Sequence, residues 1–193
     1  TRPTGRAIKN LAKLEIKTLA PAHGLVWRQD PQKIIELYQQ WSQQQTEKGV
    51  VIVYGSMYGH TRQMALNLAK KLENLGLKTK TYDAARTHRS FLLKDIWQYQ
   101  GLVLASSTYT NSLFPPIAHL IRALAERKLK NHIVGLIGNY SWTGGAMREM
   151  SQFVDDNKLE LVEPKIRTQY GADQKTTDQL EDLAQNFADK LSD

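Results

Sequence analysis

Residues 50–61, VVIVYGSMYGHT, constrain the fold of this chain more than any other stretch. A run of β-branched and aromatic residues stops at Gly55 and passes through hydroxyl-bearing residues into a segment whose Met64, Leu68, Leu72 and Leu75 recur at three- and four-residue spacing. The pattern reads as a strand, a tight loop and a helix over about residues 61–75. A loop in that position faces a helix N-terminus, where the first N–H groups lack intrahelical partners and the macrodipole is positive, so it is suited to an anion. Ser56 and Thr61 add hydroxyl donors, Gly59 permits close backbone approach, and no Lys or Arg precedes Arg62. A phosphomonoester fits this donor set better than a triphosphate. The pattern G-x-x-x-x-G-K-[ST] is not met, because the Gly pair is too close and His60 stands where its Lys would, and G-x-G-x-x-G is absent. Junctions of this kind also occur as plain turns in α/β proteins, so the loop alone leaves both readings open.

From residue 50 onward strand and helix alternate five times, the signature of a parallel sheet with helices on both faces. Strands are expected at residues 50–54, 78–82, 101–105, 132–137 and 159–163; the second is polar enough to be an edge, the third and fourth apolar enough to be central. Helices are expected at about residues 90–99, 116–130, from about 145, and 177–191, the last with Leu180, Leu183, Ala184, Phe187 and Leu191 inward. The fold class is α/β: a doubly wound, five-stranded parallel sheet of order 2-1-3-4-5. Right-handed crossovers put the loops after its first, third and fourth strands on one carboxyl edge, with the first and third strands meeting at the switch point. The second of these loops, SSTYTNSLFP at 106–115, and the third, GNYSWTGGA at 138–146, are rich in hydroxyls, amides and aromatics and carry no charged side chain. That combination suits a flat, polar-edged heterocycle.

The first 48 residues read differently. Ile8, Leu11, Leu14 and Ile16 form a short helical period, and residues 19–28, LAPAHGLVWR, an apolar strand and turn with a single His. Asp30 and Pro31 make an N-cap and N1 pair for a helix presenting Ile34, Ile35, Leu37, Tyr38 and Trp41. Residues 42–49, SQQQTEKG, read as a linker, which divides the chain into residues 1–48 and 49–193. Of the formal net charge of +7, residues 1–48 supply +4, with eight Lys/Arg against four Asp/Glu. No block of like charge and no basic stripe interleaved with aromatics is present, which argues against nucleic acid. No apolar run is long enough for a bilayer, and residues 1–10 lack the apolar core of a targeting segment. The absence of Cys excludes disulfides, thiolate metal sites and Fe–S ligation, and fits a reducing, cytoplasmic compartment.

Four passages taken together point to a family. GSMYGHT at 55–61, SSTYTNSLFPP at 106–116, GNYSWTGGA at 138–146 and PAHGLVWRQDP at 21–31 resemble flavodoxins, and more narrowly the flavodoxin-like domain of flavodiiron proteins, the oxygen- and nitric-oxide-reducing flavoproteins. The resemblance implies FMN as cofactor. Ser56, Met57, Tyr58, Gly59, His60 and Thr61 match the phosphate loop of that family, with Met57 and Tyr58 replacing the Thr pair common in simple flavodoxins. Ser107, Thr108, Tyr109 and Asn111 match the isoalloxazine loop, and Gly138, Asn139, Tyr140, Ser141, Trp142, Gly144 and Gly145 the third loop. Residues 1–48 look like the closing segment of the metallo-β-lactamase-like domain that precedes the flavodoxin domain there. His23 then corresponds to a ligand of a non-haem di-iron site, but only with the rest of that domain present; no metal and no catalytic residue is expected in this chain alone.

The function implied is electron transfer, from a protein donor such as rubredoxin or a flavin reductase domain to the di-iron centre, within a homodimeric parent oxidoreductase and with no nucleic-acid or membrane partner. Simple flavodoxins surround the flavin with acidic residues, whereas residues 106–116 and 138–147 here contain no Asp or Glu. The expected second one-electron potential is therefore less negative than in an acidic flavodoxin. Another reading on the same fold is a stand-alone NAD(P)H:quinone oxidoreductase. A receiver-type signalling module would need an Asp at a central strand end, and those ends are Tyr54-Gly55, Ala105-Ser106 and Ile137-Gly138. Nucleophilic catalysis has no support, with no Cys, no G-x-S-x-G elbow and no His paired with a positioned carboxylate.

Overall fold

The computed structural model describes residues 2–11 and 14–192. The chain divides into two compact units, Thr1–Thr46 and Glu47–Asp193. In the first, helix α1 (Arg2–Leu11) packs on helix α2 (Pro31–Gln43), and Leu19 pairs with Trp27 across a short antiparallel bridge. Asp30 caps α2 by accepting a hydrogen bond from the Lys33 N–H at 3.3 Å, in the role its sequence position suggests. Ile8, Ile34 and Ile35 are buried, while Leu14, Leu25, Val26, Tyr38 and Trp41 are exposed; the last two form an edge-to-face pair with centroids 5.3 Å apart. The expected linker shortens to residues 44–46, because α2 runs to Gln43 and the next strand starts at Glu47.

The second unit is a doubly wound sheet. Strand β1 (Glu47–Gly55) leads through helix α3 (His60–Asn74) to β2 (Thr79–Asp83), then through α4 (Arg89–Gln98) to β3 (Tyr99–Tyr109). A two-residue strand β4 (Ser112–Leu113) folds back on β3 before α5 (Pro115–Glu126), and β5 (Ile133–Tyr140) leads into α6 (Gly145–Asp156). The expected fifth strand exists as two pieces, β6 (Glu160–Leu161) and β7 (Ile166–Gln169), both parallel to β5, and α7 (Gln174–Ser192) closes the chain. The order β2-β1-β3-β5-β6, with β2 at the edge, is the doubly wound arrangement expected. The fifth strand differs from its expected bounds because Pro164 interrupts it and cannot donate to the ladder.

Residues of β1 alternate between two cores, so the strand reads as a continuous apolar run because both faces are covered. Val50, Ile52 and Tyr54 pack with Met64, Leu68 and Leu72 of α3 and Leu180, Leu183 and Phe187 of α7. Val51 and Val53 pack on the opposite face with Ile96 of α4, Ile117, Leu120 and Leu124 of α5, and Met150 and Val154 of α6. The start of α7 is set by Asp173, whose carboxylate accepts from the Thr176 hydroxyl at 2.6 Å and N–H at 2.8 Å; these bonds hold it below the usual carboxylate range. Among the described residues no helix is long and apolar enough to cross a membrane.

One buried ionisable group in this core makes stability depend on pH. His132 is buried, with Nδ1 2.6 Å from the Lys130 carbonyl and Nε2 2.7 Å from that of Ile96. Burial lowers its pKa below 6.5, against the opposing pull of the two carbonyls. The unfolded chain therefore binds this proton more readily than the fold does, and the contribution, fully present above about pH 6.5, is lost as pH falls toward the folded value. Urea midpoints are expected to drop between pH 7.5 and 5.5, and less steeply in His132→Gln; an equal drop in both proteins would assign the loss to other groups.

Candidate functional site

Parallel register brings the three loops to one edge. Gly55 at the end of β1 is level with Ser106 of β3, and Ser107 is level with Asn139 of β5. The first loop is closed locally by the Gly59 N–H, which donates to Ser56 Oγ at 3.1 Å and leaves the Ser56 proton free to donate elsewhere. Gly59 is the N-cap of α3, at φ +93°, with open space where a side chain would project. No side chain caps α3 and its first turn holds no acidic residue. Thr61 is only 1% exposed, and its Oγ1 has no hydrogen-bond partner among the described residues.

The second loop is a β-hairpin rather than an irregular loop. Thr108 pairs with Leu113 and Tyr109 with Ser112, leaving Thr110 (φ +49°) and Asn111 (φ +58°) as a two-residue turn with both centres left-handed, the type I′ geometry. Asn tolerates that region; Thr, being β-branched, is an outlier there. Ser107 Oγ donates to the Gly55 carbonyl at 3.3 Å, tying hairpin to first loop. Ser106 Oγ accepts from the Phe114 N–H at 3.2 Å and fixes the hairpin's return. The hairpin tip then abuts the third loop: a Cβ on Gly145 would lie 1.9 Å from the Asn111 carbonyl oxygen.

Ser56, Met57, Tyr58, His60, Thr61, Ser107, Thr108, Asn139, Tyr140 and Ser141 line one narrow cleft of about 40 Å³. Tyr58 and His60 also border a wider groove of about 560 Å³ that runs along α3 past Gly59, Arg62, Gln63 and Lys70. Tyr109, Asn111 and Trp142 lie outside the cleft lining and are exposed, Trp142 by 92%. Gly138 and Gly145 are buried and Gly144 half-buried, and act through backbone packing rather than as walls.

Sequence reasoning missed a fourth segment, the exit of β7. Asn139 Nδ2 donates to the carbonyls of Thr168, at 3.4 Å, and of Tyr170. Gln169 Nε2 donates to the Ser141 carbonyl at 2.7 Å, and the Tyr170 N–H to that of Tyr140 at 3.1 Å. Arg167 lies over the Tyr140 ring at 4.5 Å. The alternation Ile166-Arg167-Thr168-Gln169 past Pro164 was the available signal, since a strand continuing there must end beside the third loop. His23 is exposed, and among the described residues no three His, Cys, Asp or Glu side chains cluster as a metal site would need.

A family model described as Flavodoxin matches residues 52–187. The chain belongs to the flavodoxin family. The chain is 30% identical over 181 residues to a nitric oxide reductase of Moorella thermoacetica, covering 93% of this chain and 45% of that protein. It is 32% identical over 150 residues to an anaerobic nitric oxide reductase flavorubredoxin of Aeromonas hydrophila, covering 77% of this chain and 30% of that one. The chain thus spans less than half the length of these relatives. In fold it superposes on the rubredoxin oxygen:oxidoreductase of Desulfovibrio gigas with a TM-score of 0.90 at 22% identity, covering 99% of this chain and 49% of that one. A flavodoxin from the domain Archaea matches with a TM-score of 0.66 at 18% identity, over 75% of this chain and 99% of its own.

Proposed function

We propose that this chain is the FMN-binding electron-transfer module of a flavodiiron oxidoreductase. In this reading a protein reductase such as rubredoxin or a flavin reductase domain delivers electrons, and they pass to a non-haem di-iron centre in the remainder of a homodimeric, cytoplasmic parent that reduces oxygen or nitric oxide. Residues 1–48 are then the closing segment of the metallo-β-lactamase-like domain holding that centre, with His23 as one ligand. The names of the relatives from Moorella and Aeromonas, and of the structural neighbour from Desulfovibrio, support the class of reaction.

The observation that carries the flavin site is the Thr61 hydroxyl, which has no hydrogen-bond partner among the described residues and is buried at a helix N-terminus that lacks a side-chain cap among them, beside a cleft shared by three loops. A buried hydroxyl without a partner costs about 1–3 kcal/mol, a cost that a phosphate oxygen bound there would remove. The residues fit such a group: N–H groups at the start of α3, with Ser56 and Thr61 hydroxyls, would hold the phosphate of FMN. The cleft's lining of hydroxyls and N–H groups suits that tail, and the ring would lie toward the rim made by the hairpin and the third loop. FMN supplies the redox chemistry when bound. The chain's own part is to bind the phosphate, orient the ring through Ser107, Thr108 and Tyr140, and hold acidic residues away from it.

Titrating purified chain with FMN is expected to quench flavin fluorescence at one-to-one stoichiometry and to add two visible absorption bands to the protein fraction. Failure to bind would overturn the reading, and turnover of NADH with a quinone and no protein donor would replace it with a quinone reductase. The same holoprotein should give, by spectroelectrochemistry, a second one-electron potential clearly less negative than that of an acidic flavodoxin. An equally low value would mean that uncharged loops do not set it.

A further inference from the structure

Arg167 has no role in the family resemblance and stands outside the three loops, yet its guanidinium is placed against the third of them. Its residue is level with Gly138 in the β5–β7 pairing, and its guanidinium lies 4.5 Å over the Tyr140 ring. A Cβ on Gly144 would sit 2.7 Å from both Nε and Nη2, so the guanidinium fills the space that a side chain at 144 would take. Among the described residues Arg167 is in no ion pair within 4.0 Å. The backbone around it is fixed by Asn139, Gln169 and Tyr170, which bind the β7 exit to the third loop. This gives an otherwise uncharged loop, residues 138–147, one cation supplied from a strand some twenty residues later.

We propose that Arg167 is a positioning and charge-supplying residue for the ring of the bound flavin: it fixes Tyr140 at the cleft and lends positive charge to the third loop, favouring the reduced, anionic ring. The inference rests on the FMN reading above. Two effects follow and are separable. Orienting Tyr140 needs a planar cation stacked on its face, which Lys reproduces poorly; the field needs only a positive charge, which Lys retains.

The test compares wild type, Arg167→Lys and Arg167→Gln by FMN titration, by spectroelectrochemistry at low and high salt, and by apo-protein melting. Arg167→Gln is expected to bind FMN about two- to fivefold more weakly, the equivalent of losing one exposed cation–π contact. Its potential for forming the reduced ring should move to more negative values, with a difference from wild type that shrinks as salt screens the charge. Arg167→Lys should keep the wild-type potential while binding more weakly. If wild type binds no FMN, the flavin reading fails and this one with it. If wild type binds but the potentials of all three proteins coincide, only the role of Arg167 fails, and a matched fall in melting temperature in both variants would reduce it to a structural staple.

Discussion

Replacing Gly145 by Ala is expected to weaken FMN binding at least tenfold and to lower the melting temperature of the chain. The added Cβ would lie 1.9 Å from the Asn111 carbonyl oxygen and 2.4 Å from its carbon, both backbone atoms that cannot swing aside. Overpacking of this kind costs about 3 kcal/mol at the upper end, and the helix gains at most about 1 kcal/mol from Ala over Gly. The net of about 2 kcal/mol corresponds to roughly 4–8 °C for a chain of this size. Relief requires the hairpin tip and the start of α6 to separate, which displaces the loops meant to hold the flavin ring, so affinity suffers more than the core. Gly59→Ala makes no comparable clash, since nothing lies within 4 Å of its Cβ; it strains a φ of +93° in the phosphate loop itself, so its cost falls there and not on the hairpin. Differential scanning fluorimetry and an FMN titration read both effects, and unchanged values in Gly145→Ala would mean that the two loops do not depend on their contact.

The elements that were legible in the sequence share a cause. Continuous apolar runs such as 50–54 and 101–105 arise when both faces of a strand are covered, and a helix-spaced Met64, Leu68, Leu72 arises when one face is; burial writes these patterns directly. The convergence of loops followed from strand order alone. What stayed hidden depended on partners distant in sequence or on backbone conformation. The hairpin at 108–113 uses Thr110 in a left-handed turn where Asn-Gly would have announced it, so its composition resembles a loop. The alternation at 166–169 marks a strand, but the bonds by which that strand's exit holds the third loop join the side chains of Asn139 and Gln169 to carbonyls some thirty residues away in sequence, which no local pattern records. Asn139, matched to the third loop, lines the cleft and also donates its amide to the carbonyls of Thr168 and Tyr170, a tie to the fourth segment that its own loop does not announce.

Thr61→Val should separate stability from ligand binding in opposite directions. Valine has nearly the shape of threonine, and the site is 1% exposed, so packing is retained while the hydroxyl is removed. A buried hydroxyl that bonds nothing in the apo fold only penalises it, and its loss is expected to stabilise apo protein by about 1 kcal/mol. A hydroxyl donating to phosphate makes a charge-assisted bond worth about 1.5–3 kcal/mol, so the same change should weaken FMN binding by about ten- to a hundredfold. Thr61→Ser, which keeps the donor, should stay close to wild type in affinity. A hydroxyl serving only as part of the α3 terminus would give the reverse pattern, with Thr61→Val less stable and its FMN affinity unchanged. Measured together, urea unfolding of apo protein and FMN titration therefore distinguish a group kept for its ligand from one kept for its fold, and a Thr61→Val protein that binds FMN as tightly as wild type removes the phosphate from this helix.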